Sequence, residues 1–305
     1  MTVRFAYPSQ RFQDWLSQQW VIWRGRRIDP DKTPWLMGPF GNVDSIADDF
    51  VARLASDEHL EVERNVKTGG LLPSMRDLAL SESDYQRLSP SIIDFYENTT
   101  QYDMDLWVEW NKYFRPFGGL VHYLYSRRLK QLNLPLRPLE VSRGIYNEVV
   151  MLRDPESGNI KYTIWYRVLK SNKHVIYSGV YTTCTLPSGK VCIKVIFPLP
   201  RGNATVIMEP TVGPLGEFRL TSSGNKYGDP GFYFLLNDSK GGYWAQYVHS
   251  FREQLDVFVD EEDQLRAEHT LTLWKRRVLE IHYKMYRPGR LSNAVGSGDD
   301  RAGAI

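Results

Sequence analysis

From Pro135 onward the spacing of apolar residues changes from about 3.6 to 2, so this chain must combine helices with a sheet. Upstream, "SQRFQDWLSQQWVIW" sets Phe12, Trp15, Leu16, Trp20 and Trp23 at helical intervals. "DSIADDFVARLAS" does the same with Ile46, Phe50, Val51 and Leu54, with Asp44 or Ser45 as N-cap. Between them "DPDKTPWLMGPFGN" is dense in Pro and Gly and reads as loop. Ser89 followed by Pro90 suits the start of a third helix, on which Ile92, Ile93 and Tyr96 share a face. A fourth is expected from about Tyr102, with Asp103, Trp107, Trp110 and Phe114 on one stripe and Asp105 and Glu109 on a wet face. "LVHYLYSRRLKQL" then resumes a helical pattern.

Downstream, the odd positions of 141–151 read Val141, Arg143, Ile145, Asn147, Val149 and Met151. The even positions of 160–168 read Ile160, Tyr162, Ile164, Tyr166 and Val168. Short turns such as "DPESGN", "PSGK" and "GPLG" join successive runs of this kind, which implies antiparallel pairing. One interruption is expected: "YWAQYVHSFREQL" has the spacing of an amphipathic helix over 243–255. Two closing strands follow, through Leu265, Ala267, His269, Leu271 and Leu273, then Leu279, Ile281, Tyr283 and Met285.

The fold class expected is α+β: a helical N-terminal segment packed on a large curved antiparallel sheet or barrel of about eight or nine strands. Residues 1–134 form the mainly helical region, 135–287 the β-rich domain, and 288–305 a polar, glycine-rich tail expected to be disordered. So many strands cannot stay flat, and either solution tends to enclose an apolar cavity. The mixture is similar in architecture to hydrophobic-ligand barrels and helix-grip folds, although no motif names a family.

Composition narrows the partners. Thirty-eight Lys and Arg against 36 Asp and Glu give a net charge of +2, which recommends neither nucleic acid nor an anionic membrane. The basic runs "WRGRR", "SRRLK" and "WKRR" are short enough to be solvated faces. Cys184 and Cys192 flank "TLPSGK" and can face each other across a hairpin, but two cysteines are few for a secreted framework. No signal pattern opens the chain, and no apolar run has the length a transmembrane helix requires. A soluble, cytoplasmic protein is expected. Phosphate loops, nucleophile elbows and metal-ligand spacings are missing, so no cofactor and no metal are expected, the pairs "DPD" at Asp29 and "DMD" at Asp103 included.

Polar residues that interrupt an apolar alternation carry the functional expectation, because burying one without a partner is costly. Arg143, Asn147 and His269 do so, offering an anion anchor, an amide and a titratable imidazole. Tyr162 and Tyr166 would add hydroxyls, and Glu97 and Asp103 could act as acid and base. Structural duty explains these residues too, with Asp103 capping a helix and the others hydrogen-bonded in a core. Three functions fit: a binder of a hydrophobic or lipid-like small molecule, anchored by Arg143; an isomerase, cyclase or hydrolyase using His269, Glu97 or Asp103; or an interaction module with no small-molecule site.

Overall fold

The computed structural model describes residues 5–8, 10–41, 47–64, 66–116, 119, 145–170 and 175–288, which form four α-helices and fourteen β-strands. The helices are α1 (Phe12–Arg24), α2 (Ala47–Asp57), α3 (Glu82–Arg87) and α4 (Pro90–Glu97). Three strands come early: β1 (Arg26–Ile28), β2 (Glu61–Glu63) and β3 (Asp103–Trp110). A meander follows, with β4 (Ile145–Arg153), β5 (Ile160–Leu169), β6 (Val175–Thr185), β7 (Val191–Leu199), β8 (Gly202–Val212) and β9 (Phe218–Thr221). The last five are β10 (Gly231–Asn237), β11 (Tyr243–Tyr247), β12 (Phe251–Val259), β13 (Leu265–Leu273) and β14 (Arg276–Tyr286). The first 134 residues thus supply strands to the sheet as well as helices. The expected helix near Leu129, and the tail beyond Pro288, lie outside the described residues.

All the ladders among named strands are antiparallel, and β8 is the fork of the sheet. Its Gly202–Ile207 half pairs with β10, which continues to β11 and β1. The Glu209–Val212 half pairs with β9, which continues through β12, β13 and β14 to β3. The other side of β8 runs back through β7, β6, β5 and β4 to β2. The expectation of eight or nine strands is therefore too low, and the sheet is open rather than a closed barrel. β3 curls round to lie beside β4, where the Asn147 amide donates to the Tyr102 carbonyl at 3.4 Å, but no ladder joins the two among the described residues.

Two expected helices are strands. In β3 the buried residues are Met104, Leu106 and Val108, a period of two that the tryptophan spacing disguised. Over 243–255 the chain forms β11 and the start of β12, broken at Val248–Ser250. Phe251 and Leu255 are four apart within β12, and a spacing of four keeps one face of a strand as well as it keeps one face of a helix.

The concave face is filled by protein. Leu71, Leu72, Met75, Ile92, Phe95 and Tyr96, from α4 and the segment before it, pack into one cluster with inward residues of β3 to β9 and β12 to β14. Phe95 meets Trp165 and Tyr102 edge-on, and Tyr96 meets Phe218. Burying a side chain of the size of Ile92, fully inaccessible here, contributes about 1.5–3 kcal/mol. The end of α4 is tied down by Asp94, which accepts from the Tyr102 hydroxyl at 2.5 Å and from Arg287 at 2.6 Å. On the opposite face of β4 to β7, α2 lays Phe50, Val51 and Leu54 over Val150, Ile164, Val180 and Ile196. Both faces being covered, these strands read as nearly continuous apolar runs.

Candidate functional site

Alternation along the strands sorts the expected site residues onto two faces. Asn147 and His269 point to the concave side, with Val149 and Ala267 as their inward neighbours. Tyr162 and Tyr166 point to the other side. Tyr162 donates to Glu58 at 3.1 Å, its own pKa pushed up by burial and then by that carboxylate. Tyr166 packs with Val175 and Val168. The tyrosines therefore do not share a pocket with Asn147 and His269. Arg143 lies outside the described residues. Glu97 accepts from the Met75 amide at 2.7 Å and the Ser74 hydroxyl at 3.1 Å, which fixes the turn ahead of α3, while Asp103 opens β3 opposite Tyr286.

Two polar groups form on the concave face. In the first, Trp165 Nε1 donates to the Asn147 carbonyl oxygen, and the Arg167 guanidinium lies 4.0 Å over Trp165 and 4.9 Å over Tyr283. Tyr181 stands close by, and burial together with a hydrogen bond to Tyr96 holds its phenol well above its ordinary pKa. Arg167, only 2% exposed, escapes a sequence reading in which the even positions of β5 form its apolar face. Its signal is the odd run Thr163, Trp165, Arg167, Leu169, where one cation interrupts a second apolar series. The second group is His269 Nε2 with Glu253 Oε2 at 2.9 Å. The Glu253 side chain is 10% exposed and sits beside Ser222, whose hydroxyl takes a bond from the Glu253 amide at 2.7 Å.

A carboxylate that orients an imidazole is half of an acid–base device and equally a structural pair. Removing the ring leaves Glu253 buried without it. His269→Ala is expected to cost about 1–3 kcal/mol in urea unfolding, with Glu253→Gln in the same background recovering part of the loss.

Among the described residues, Glu109, Glu280 and His282 bring ligand-type atoms within 4.8 Å of one another on the outward face of β3 and β14. Arg277 already binds Glu280 at 2.5 Å, and the His282 ring stacks on Trp107, so the group reads as a surface ion-pair cluster.

The outward side of α1 is unlike either group. This helix buries Asp14, Gln18 and Gln19 beside Val21 and Ile22, and exposes Phe12 (74%), Leu16, Trp20 and Trp23 (67%). At 100° per residue those four lie within an arc of about 80°. Polar contacts hold the inner face: Gln19 accepts from the Ala6 amide at 3.1 Å, and Gln18 donates to the Pro200 carbonyl at 2.8 Å. Gly25 sets the exit, since a Cβ there would stand 2.6 Å from the Ala245 carbonyl oxygen of β11. Arg11 just before the helix, Arg24 in its last turn and Arg27 three residues on are exposed. Helical spacing announces the stripe from sequence, but not that it turns away from the core.

The fold and this face define an open α+β sheet, gripping one helix and presenting another with its apolar side outward. No family model matches the chain, and no solved structure does. A relative from Bacillus subtilis (strain 168), named "Uncharacterized membrane protein YndJ", is 25% identical over 268 residues, 87% of this chain. The match spans 46% of that relative, so the chain covers less than half its length. This likeness overturns the expectation of a soluble, cytoplasmic protein, which rested on composition and an unremarkable N-terminus. No helix among the described residues is long and apolar enough to cross a membrane.

Proposed function

We propose that this chain is an interaction module that docks on an anionic bilayer surface through the outward face of α1. The observation that carries the reading is the inversion of that helix, which turns Asp14, Gln18 and Gln19 inward and Phe12, Leu16, Trp20 and Trp23 outward. Aromatic rings seat well at the boundary of headgroups and acyl chains, and a helix lying in that plane needs an apolar side with cations at its margin. Arg11, Arg24 and Arg27 supply the cations. The net charge of +2 averages this patch away, which is why composition argues against an anionic surface while the local arrangement favours one. The name of the relative supports the same assignment. Packing of residues 71–96 into the concave face gives less support to a carrier or enzyme built on Asn147 and His269.

Flotation of the purified chain with vesicles tests this. The protein is expected to rise with phosphatidylcholine–phosphatidylglycerol vesicles, less with phosphatidylcholine alone, and less as salt is added, because the Arg contribution is screened. Protein that stays at the bottom of the gradient with every composition would refute the proposal.

A further inference from the structure

The chain has two cysteines in 305 residues, and the register sets them directly opposite each other, Cys184 in β6 and Cys192 in β7. Both are free thiols, 8% and 0% exposed. A residue inside a sheet has at most two direct cross-strand neighbours, so chance is a poor account of their meeting. The Leu186 amide donates to the Lys190 carbonyl at 2.9 Å across the Pro187–Gly189 turn, where Gly189 takes φ +85°. By alternation, Cys184 and Cys192 occupy the next hydrogen-bonded position, where Cα atoms lie about 5.5 Å apart, inside the span a disulfide bridges. Their Cβ atoms must draw together by roughly 1 Å, so the bridge closes under some distortion and is easily reduced.

We propose that Cys184 and Cys192 form a reversible cross-strand disulfide by exchange with a small-molecule disulfide. The Cys184 thiolate attacks one sulfur of the oxidant, whose other half leaves as a thiolate and takes up a proton. Cys192, deprotonated, then attacks the Cys184 sulfur of the mixed disulfide and expels the second half as a thiol. Two protein thiols are oxidised, one bridge forms, and one small disulfide is reduced to two thiols. Cys184 is the attacking partner, because it keeps 8% of its surface exposed where Cys192 keeps none. Burial holds both thiols above their ordinary range, with the Lys194 ammonium opposing this at Cys184. The oxidant enters when the hairpin end frays, two residues from the pair.

The bridge would form beneath a strap of chain. Cys184 and Cys192 pack with Trp35 and Leu36, and Lys194 Nζ donates to the Trp35 carbonyl at 3.1 Å and the Met37 carbonyl at 2.9 Å. Redox state is thereby set against the segment that follows β1.

The test is incubation of the folded full chain with oxidised glutathione, followed by intact mass and by alkylation after denaturation. The expected result is a loss of two hydrogen atoms, disappearance of both alkylatable thiols, and their return with dithiothreitol. Cys192→Ser is expected to stop at a glutathione adduct on Cys184. The proposal is overturned if both thiols stay alkylatable, if wild type accumulates adducts without closing, if the bridge joins two chains, or if oxidation occurs only in denaturant that abolishes the β-sheet circular dichroism.

Discussion

Replacing Phe12 and Trp23 together by serine is expected to weaken binding to anionic vesicles by about two orders of magnitude while leaving the urea midpoint almost unchanged. The two effects separate because the rings are 74% and 67% exposed, so folding gains little from them and a bilayer would gain most of their area. Transfer of a large apolar side chain contributes about 1.5–3 kcal/mol when complete. Taking the lower end for rings that sink only to the interface, each substitution costs about 1.4 kcal/mol, a factor of ten. Leu215→Ser is the control. Leu215 is 93% exposed on the β8–β9 turn, so the change removes an exposed apolar side chain from a different surface and is expected to leave flotation as it was. Equal losses from both variants would mean that general stickiness carried the protein to lipid, and the assignment of α1 would fail. The cationic margin is separable too: Arg24→Gln with Arg27→Gln should flatten the salt dependence, at about 1 kcal/mol per residue near the surface.

The strand-rich half of the chain was legible because its core faces alternate. Ile145, Val149 and Met151, or Leu279, Ile281, Tyr283 and Met285, are named correctly as inward sets by period alone. The two errors of element type share a cause. Large aromatics at β3 and over 243–255 fall at spacings of three and four, and a spacing of four fits strand and helix equally. For β3, what separates strand from helix is the intervening sequence: Met104, Leu106 and Val108 alternate with Asp103, Asp105, Trp107 and Glu109, an acid at every outward position but one. The strand count is low for the same reason at β3, β11 and β12, and for a different one at β1 and β2, which are only three residues long and owe their pairing to the elements they meet.

The candidate sites were legible only in part. His269 was found as a break in an apolar run, yet its partner Glu253 was hidden by the helical reading of 243–255. Asn147 was found and Arg167, directly across the ladder from it, was not. Pairing brings residues together across strands, and nothing local in the sequence records that adjacency. Cys184 and Cys192 are the exception, because a short turn between two strands fixes which positions meet. The direction of α1 is the harder case. Amphipathic spacing gives an apolar face but not its partner, and the buried Gln18 and Gln19 become intelligible only against the carbonyl and amide they reach.

The largest loss of stability is expected from α4. Ile92→Ala removes a side chain that is wholly inaccessible and surrounded on the concave side by residues of several strands. Around it the helix is held from both ends. The Ser89 amide donates to the Gly216 carbonyl at 3.1 Å ahead of it, and after it the Tyr96 carbonyl accepts from the Leu72 amide at 3.1 Å and Arg287 grips Asp94, so the site cannot collapse freely onto the gap. The expected cost is about 2–5 kcal/mol in urea unfolding, with Ile92→Val costing about 0.5–1.5 kcal/mol. Vesicle binding of the folded protein should be untouched, because α1 packs on β10 and β11, on the other arm of the fork. A loss under about 1 kcal/mol for Ile92→Ala would mean that the space around α4 is not close-packed. That outcome would return the concave face, with Asn147, Arg167 and His269 on it, to the ligand-cavity reading.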